Sequence, residues 1–450
     1  MPNEEAVHAS DRVTLELTSR LLKLGAHEAL IVDSPPGAGK TTLVTRSTRT
    51  LVDSGGVETV PVVVQTNEQA NDLVKRISAD FGLRVGRLVS SSYTVPPYLS
   101  RLPRVQIEKN LGDFHHPQVV VATASKWAFC QGKQAYPVAV IDEAYQMRSD
   151  LLYRVAPLFG SFLAVGDPGQ LDPFTTLDEK PWQGQPYDPL QTAGAVLAEN
   201  ADGDPLRLPV SWRLPQAAAR LVQEAFYDQA FMAGTLPTER RLHLDTVDIA
   251  GWADKTLTHA AETGWGYCRL PARHTPPGDP EVAASLATLV RRFVERHPWT
   301  SNEASAGDRR LTADRIAVGT VQRAQEAAVR SALDQLAHEH EHLASLRDVV
   351  VATANKLQGR EFDVVFVWHP LSGRQDATEF HLEAGRLCVL LSRHRHACIV
   401  VSRAGIRELL DAHPNSNPVY LNVPAKFPDG WEAHQQVLEH LDGHRVDALS

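Results

Sequence analysis

Cysteine is scarce in this chain. There are four in 450 residues, at positions 130, 268, 388 and 398, and no two form a CxxC pair. That excludes a disulfide-stapled scaffold and a zinc ribbon, and it points to a reducing compartment, the cytoplasm. No apolar run approaches the roughly 20 residues that a bilayer span needs, so no membrane partner is expected. The first residues, MPNEEAVHASDR, are polar and acidic and do not read as a secretory signal. A positive surplus is also missing. Lys and Arg number 45 against 54 Asp and Glu, for a net charge of −9. A protein that coats nucleic acid without specificity is usually basic, so only a narrow basic track remains open. No internal repeat of 20–50 residues is evident.

What is present is ordinary for a soluble globular protein: 22% charged and 43% hydrophobic residues, over a length that suits two or three domains. Histidine is plentiful at 19, and HEHEH at 338–342 invites a metal reading. Alternate spacing on a helix does not gather three imidazoles, so a solvated helix end is expected there. Short β-branched runs at 28–33, 60–66, 118–123, 138–143 and 161–167 read as strands buried on both faces. A second set follows at 315–320, 348–353, 363–369 and 397–402, and helical apolar spacing marks 281–296 and 323–337. The fold class is α/β, with two parallel sheets in succession. The polar stretch AENADGDP, 198–205, is the expected break, giving domains 1–200 and 201–425. Residues 237–264 read as a loose insertion and 426–450 as a tail.

The stretch IVDSPPGAGKTTL, 31–43, sits between a strand and a helical pattern. The pattern GxxxxGK(S/T) places backbone N–H groups around a polyphosphate at a helix N-terminus. Pro36, Gly37, Ala38, Gly39, Lys40, Thr41 and Thr42 form that cradle, with Lys40 reaching the β- and γ-phosphates and the Thr41 hydroxyl on Mg²⁺. A partner carboxylate is expected at the end of a buried strand, and VAVIDEAYQM, 138–147, supplies it: Asp142 for the metal and Glu143 as general base. Read alone, the same two carboxylates are a helix N-cap pair. Gln170 in LAVGDPGQLDPF stands past another strand end, either as a γ-phosphate sensor or as part of a turn.

Taken together, these motifs resemble superfamily 1 helicases, above all the branch that holds the nonsense-mediated-decay helicase and its DNA-repair relatives. SPPGAGKTT is similar to GPPGTGKT, VVVQTNEQANDLVKRI to motif Ia, VVVATASKWA to motif Ic, VIDEAYQ to motif II and GDPGQLDP to GDxxQLPP. LPVSWRLPQAAARLVQEAFY resembles motif IV, VGTVQRAQ the TPYxxQ segment, VVVATANKLQGREFDVV motif V and RLCVLLSRHR motif VI. The likeness runs over residues 25–402, with the motifs in order. It implies two RecA-like domains, ATP and Mg²⁺ as ligands, movement 5′→3′ on single-stranded DNA or RNA, a monomeric motor and protein partners that recruit it. A clamp that grips nucleic acid without unwinding is the alternative.

The resemblance also implies roles. Arg213 and Arg393 are the arginines that reach the γ-phosphate from the second domain. Gln358, Gly359 and Glu361 join the network around it. Trp212 takes the place of the aromatic on the base, or else is core. Thr66, Asn67, Thr123, Ser125 and Thr353 are the expected contacts to the nucleic-acid backbone, which give affinity without sequence readout. The departures are Ser34 for the first glycine, Gln322 for Tyr, Cys388 for Asn, and no adenine-reading glutamine ahead of the loop. Residues 82–117 read as a short basic insertion. Their first part, 82–105, has four Arg, two Tyr and no acid, and is either a nucleic-acid track or a packed Pro-rich loop.

Overall fold

The computed structural model describes residues 3–54, 56–130, 136–171, 173, 181–182, 185, 188, 191–236, 238–246, 251–301, 308–414 and 429–448. The first unit is built on eight parallel strands: β1 (Ala29–Asp33), β2 (Val60–Val64), β3 (Val85–Leu88), β4 (Val105–Glu108), β5 (Val119–Thr123), β6 (Ala139–Asp142), β7 (Phe162–Gly166) and β8 (Leu206–Arg207). Their order is β4-β3-β5-β2-β6-β7-β1-β8. The helices are α1 (Glu4–Leu21), α2 (Lys40–Asp53), α3 (Asn67–Phe81), α4 (Ala124–Trp127), α5 (Ser149–Val155) and α6 (Ala193–Glu199). Val62, Val64 and Val140 pack under Val44, Leu73 and Ile77 on one face. Val63, Ile141 and Ala164 pack under Trp127, Leu152 and Val196 on the other. Burial on both faces is why these strands are unbroken β-branched runs rather than alternating ones.

A two-stranded ribbon, β9 (Val210–Ser211) with β10 (Met232–Ala233), stands where the second unit begins. Its helices are α7 (Gln216–Phe226), α8 (Trp252–Thr263), α9 (Pro280–Glu295), α10 (Arg323–Glu339), α11 (Ala354–Leu357), α12 (Glu379–Leu382), α13 (Ala384–Leu391), α14 (Ile406–Ala412) and α15 (Gly430–Asp442). A small antiparallel sheet combines β11 (Arg241–His243), β13 (Trp299–Ser301) and β14 (Arg309–Arg310), while β12 (Trp265–Leu270) joins the main sheet. The other main-sheet strands are β15 (Ile316–Thr320), β16 (Val350–Thr353), β17 (Phe362–Trp368), β18 (His394–Arg403) and β19 (Arg445–Asp447). They are parallel in the order β16-β15-β17-β18-β12-β19.

Four expectations about organisation change. The polar stretch 198–205 is not the crossover. β8 follows it and still pairs with β1, Leu206 beside Val32, so the chain leaves the first unit only at about residues 208–214. Residues 82–117 are not an insertion, because β3 and β4 extend the first sheet. Arg87 lies buried on β3, its guanidinium on Asn67, Asn71 and the Leu88 carbonyl. Arg84 and Arg104 bond to the carbonyls of His116 and Gly82. One of the four arginines of the expected track, Arg87, is therefore spent inside the fold, and two more, Arg84 and Arg104, are exposed but tied to backbone carbonyls. The 237–264 stretch holds β11 and α8, and Leu257 and Ala260 of α8 sit in the second core; its residues 237 and 247–250 lie outside the described residues. The tail likewise supplies α15 and β19, although 426–428 and 449–450 lie outside the described residues. Ala433, Val437 and Leu441 of α15 belong to the core that also holds α7 and α13.

Candidate active site

The loop 34–39 joins β1 to α2 at the carboxyl edge of the first sheet. Gly37 (φ 76°) and Gly39 (φ 89°) adopt the left-handed backbone that favours glycine. Gly39 caps α2 and faces open space where a side chain would stand. Gly37 has none, since a Cβ there would strike the Cβ of Arg213. The segment after β8 thus backs the loop directly. The Trp212 amide donates to the Gly37 carbonyl at 2.9 Å, and Ser211 Oγ donates to the Pro36 carbonyl at 2.6 Å. Ser34 is buried, its amide donating to the Gly166 carbonyl at 2.9 Å, and it is not a positive-φ position. A serine fits there without strain. The first amides of α2 have no partner within the helix, so loop and helix together form a cradle for an anion.

Lys40 opens α2, and its Nζ lies 3.4 Å from Glu143 Oε1 and 3.5 Å from Asp167 Oδ2. Asp142 ends β6, buried between β2 and β7. Burial, with the Glu143 carboxylate beside it, holds its carboxyl well above the usual range, and Lys40 works the other way. Glu143 stands at φ 55°, a left-handed conformation that costs a non-glycine residue about 1–3 kcal/mol, and its amide donates to Asp142 Oδ1 at 3.0 Å. Such strain concentrates at functional sites, and here it turns the second carboxylate toward Lys40.

The second unit meets this cluster with cations. Arg213 Nε lies 3.3 Å from Glu361 Oε2, and its Nη1 donates to the Ser392 carbonyl at 3.4 Å. Burial lowers its pKa, partly offset by Glu361. Glu361 also accepts from Arg395 Nη1 at 3.2 Å. Arg393 is 1% exposed; its Nε donates to the Val389 carbonyl at 3.2 Å, and its Nη2 has no partner among the described residues. Burial and the neighbouring Arg213 press its pKa down to about 10, while Asp167 and Glu143 are near enough to oppose them. Gln358 Nε2 and Gln170 Oε1 approach to 3.4 Å across the seam, and Gly359 (φ 77°) turns the chain next to them.

Trp212 borders a cavity of about 320 Å³, lined by Ser10 and Thr14 of α1, Ala38 and Gly39 of the loop, and Thr42 and Arg46 of α2. Thr41 is half-buried beside Lys40. A larger cavity, about 1060 Å³, lies between α7, α8 and α15, away from this cluster. Thr66 and Thr123 cap α3 and α4 at the ends of adjacent strands β2 and β5, accepting from the Gln69 and Lys126 amides. Asn67 Oδ1 accepts from Arg87 at 2.6 Å, and Ser125 is exposed. Thr353 is buried and so offers the least surface of the five expected backbone contacts.

Asp167 was not singled out from the sequence, yet it touches more of the site than any residue that was. It accepts from the Gly169 amide at 3.2 Å, from Gln170 Nε2 and from Tyr227 Oη at 2.6 Å, and it pairs with Lys40. Its signal was the aspartate of GDPGQ, directly after β7. Ser211 and Arg240, whose guanidinium holds the carbonyls of Trp212 and Arg213, carried no signal.

Residues 195–405, just under half of the chain, match the AAA_12 family model, an AAA domain. No curated protein matches the sequence. Among solved structures, the chain is similar to the crystal structure of Arterivirus nonstructural protein 10 (helicase): 15% identity, 85% of this chain and 61% of that one, TM-score 0.42. It is also similar to the PRRSV helicase (15% identity, 86% and 54%, TM-score 0.41) and to the arterivirus helicase in complex with DNA (16% identity, 85% and 63%, TM-score 0.40). The chain therefore spans between about half and two thirds of those proteins.

Proposed function

We propose that the protein is an ATP-driven superfamily 1 motor on single-stranded DNA or RNA. The observation that carries this reading is the charge arrangement at the seam. Lys40 from one unit, with the half-buried Arg213 and the buried Arg393 from the other, converges on a glycine-turned anion cradle. Arg393 Nη2 has no partner among the described residues, as a group awaiting an anion would. The residues present fit a polyphosphate. Residues Pro36 to Thr42 surround it, with backbone N–H donors from Gly37 onward, and Lys40 exchanges its carboxylate partners for phosphate. Arg213 and Arg393 close from the second unit, with Gln170, Gln358, Gly359 and Glu361 around them. Thr41 and Asp142 are the ligands for Mg²⁺, which supplies charge neutralisation on the phosphates. Glu143 is the base for the attacking water.

The ring of Trp212 and the cavity beside it receive the base, and the polar face of α1 supplies the wall that an upstream glutamine would otherwise give. Closing and opening of the seam then moves the strand-end hydroxyls of Thr66, Thr123 and Thr353, with Asn67 and Ser125, along a nucleic-acid backbone. The 5′→3′ direction, recruitment by protein partners, action as a monomer and a cytoplasmic location belong to this same reading. A clamp that grips nucleic acid without unwinding is the second reading, favoured by the sparse insertions and the net charge of −9.

The test is ATP turnover with single-stranded DNA, single-stranded RNA or neither, for the wild type and for Lys40→Ala. Stimulated turnover that Lys40→Ala abolishes is expected. Turnover that survives that substitution overturns the loop assignment, and stimulation without strand separation selects the clamp.

A further inference from the structure

The aspartate that pairs with Lys40 is gripped from the second unit. Asp167 lies in the loop after β7, is 2% exposed, and accepts the Tyr227 hydroxyl at 2.6 Å. Tyr227 directly follows α7. Its ring meets Phe231 edge-on at 5.5 Å, and a Cβ on Gly169 would come within 2.5 Å of the tyrosine Cζ. The same hydroxyl is 3.7 Å from Cys388 Sγ on α13. A phenol has one proton, and the short contact to a carboxylate claims it, so the thiol donates to the tyrosine oxygen. The result is a directed chain: Cys388 S–H to Tyr227 O–H to Asp167 carboxylate. Burial raises the pKa of both donors, that of Cys388 to about 12, so both keep their protons. α13 touches the loop a second time, where a Cβ on Gly385 would come within 2.5 Å of the Gln170 carbonyl oxygen. Leu171 of the loop is buried in the second unit's core.

These contacts join the two elements on which the arginines depend. Arg213 lies just before α7, and Arg393 just after α13. In the structure Lys40 shares Asp167 with Tyr227. A phosphate that draws Lys40 away leaves Asp167 a buried carboxylate whose remaining donors are the Tyr227 hydroxyl, the Gln170 amide and the Gly169 N–H. Charge-assisted hydrogen bonds of this kind are roughly twice as strong as neutral ones, and they strengthen as competing cations leave.

We propose that Tyr227 is a positioning residue that reports occupancy of the phosphate loop, through Asp167, to α7 and α13, and so sets both arginines for hydrolysis. The proposal rests on the ATPase reading. It assigns a role to a tyrosine outside the phosphate cradle.

The test is Tyr227→Phe, which keeps the ring and its packing and removes only the hydroxyl. With saturating nucleic acid, kcat is expected to fall about tenfold or more, with the ATP KM within about twofold and a melting temperature lowered by no more than the loss of one buried hydrogen bond explains. Gly169→Ala, which pushes the ring away from Asp167, should give the same split from the other side of the bond. A kcat within twofold of wild type in both variants overturns the proposal. So does a fall in kcat that comes with a matching rise in KM, or one that disappears when turnover is measured per folded molecule, because either assigns the tyrosine to packing. Wild-type protein without any ATP turnover refutes the parent reading instead, and the proposal falls with it.

Discussion

Replacing Arg393 with methionine separates what the site needs from what the fold needs. The guanidinium is 1% exposed, has one hydrogen bond through Nε and a second cation, Arg213, nearby. Folding lowers its pKa from the ordinary arginine value to about 10. At about 1.36 kcal/mol per tenfold in acidity, holding that charge in the seam costs about 3 kcal/mol. Below pH 10 the arginine is charged in both folded and unfolded chains, so this cost is present at neutral pH. Methionine keeps an unbranched stem and drops the charge. It also gives up the bond to the Val389 carbonyl, worth about 1 kcal/mol. The net expectation is an empty protein more stable by about 2 kcal/mol, or a second-unit melting temperature higher by about 4–8 °C. Turnover should fall by about 10³, the low end for an arginine that reaches a transferring phosphoryl group. Calorimetry with and without a non-hydrolysable ATP analogue reads both effects, since the analogue should stabilise the wild type more than Arg393→Met. A variant that melts lower than wild type and hydrolyses ATP within tenfold of it would refute the reasoning and make Arg393 a structural residue.

Trp212→Ala should raise the ATP KM about tenfold while leaving kcat near wild type, from the loss of about 1–1.5 kcal/mol of ring stacking; an unchanged KM takes Trp212 out of the base cavity. The second unit should also be labile to mild acid. Burial lowers the pKa of His369, His381, His394 and His434, to about 4 for His381 and His434 and about 3 for His394. The unfolded chain takes up those protons near pH 6.5 and the folded chain does not. Stability is therefore lost as pH falls from about 6.5 toward 4, by up to about 1.4 kcal/mol per pH unit for each histidine. Urea midpoints measured between pH 7 and 5 check this, and a flat profile would contradict it.

The strands that carry the site were legible because a parallel sheet covered on both faces demands long β-branched runs, and VPVVV or VVVAT has no other stable use. The phosphate loop was legible because only glycine tolerates φ near 80° at residues 37 and 39. β12 escaped because its sequence, WGYCRL, mixes an aromatic pair with glycine and arginine; its place between β18 and β19 is fixed by tertiary packing, not by local preference. β19 is three residues long, with a register supplied by β12. The arginines of 82–105 illustrate the same limit. Whether a guanidinium faces solvent or a neighbouring carbonyl depends on strand pairings far apart in sequence, and for Arg87 the pairing with β5 settles it. Asp167 stood in plain view in GDPGQ, but its bond to Tyr227, 60 residues away, exists only in three dimensions.

The chain passes from one half to the other along the back of the phosphate loop, where Ser211 and Trp212 hydrogen-bond to Pro36 and Gly37 and Arg213 fills the space above that glycine. An axle placed there gives the molecule an unequal lever. If the two halves rotate about that crossing, atoms at the loop travel least and those far from it travel more. A displacement no larger than the exchange of a carboxylate for a phosphate would be enlarged at the outer rim, and a bulkier residue at position 37 would seize the axle without touching a single charged group.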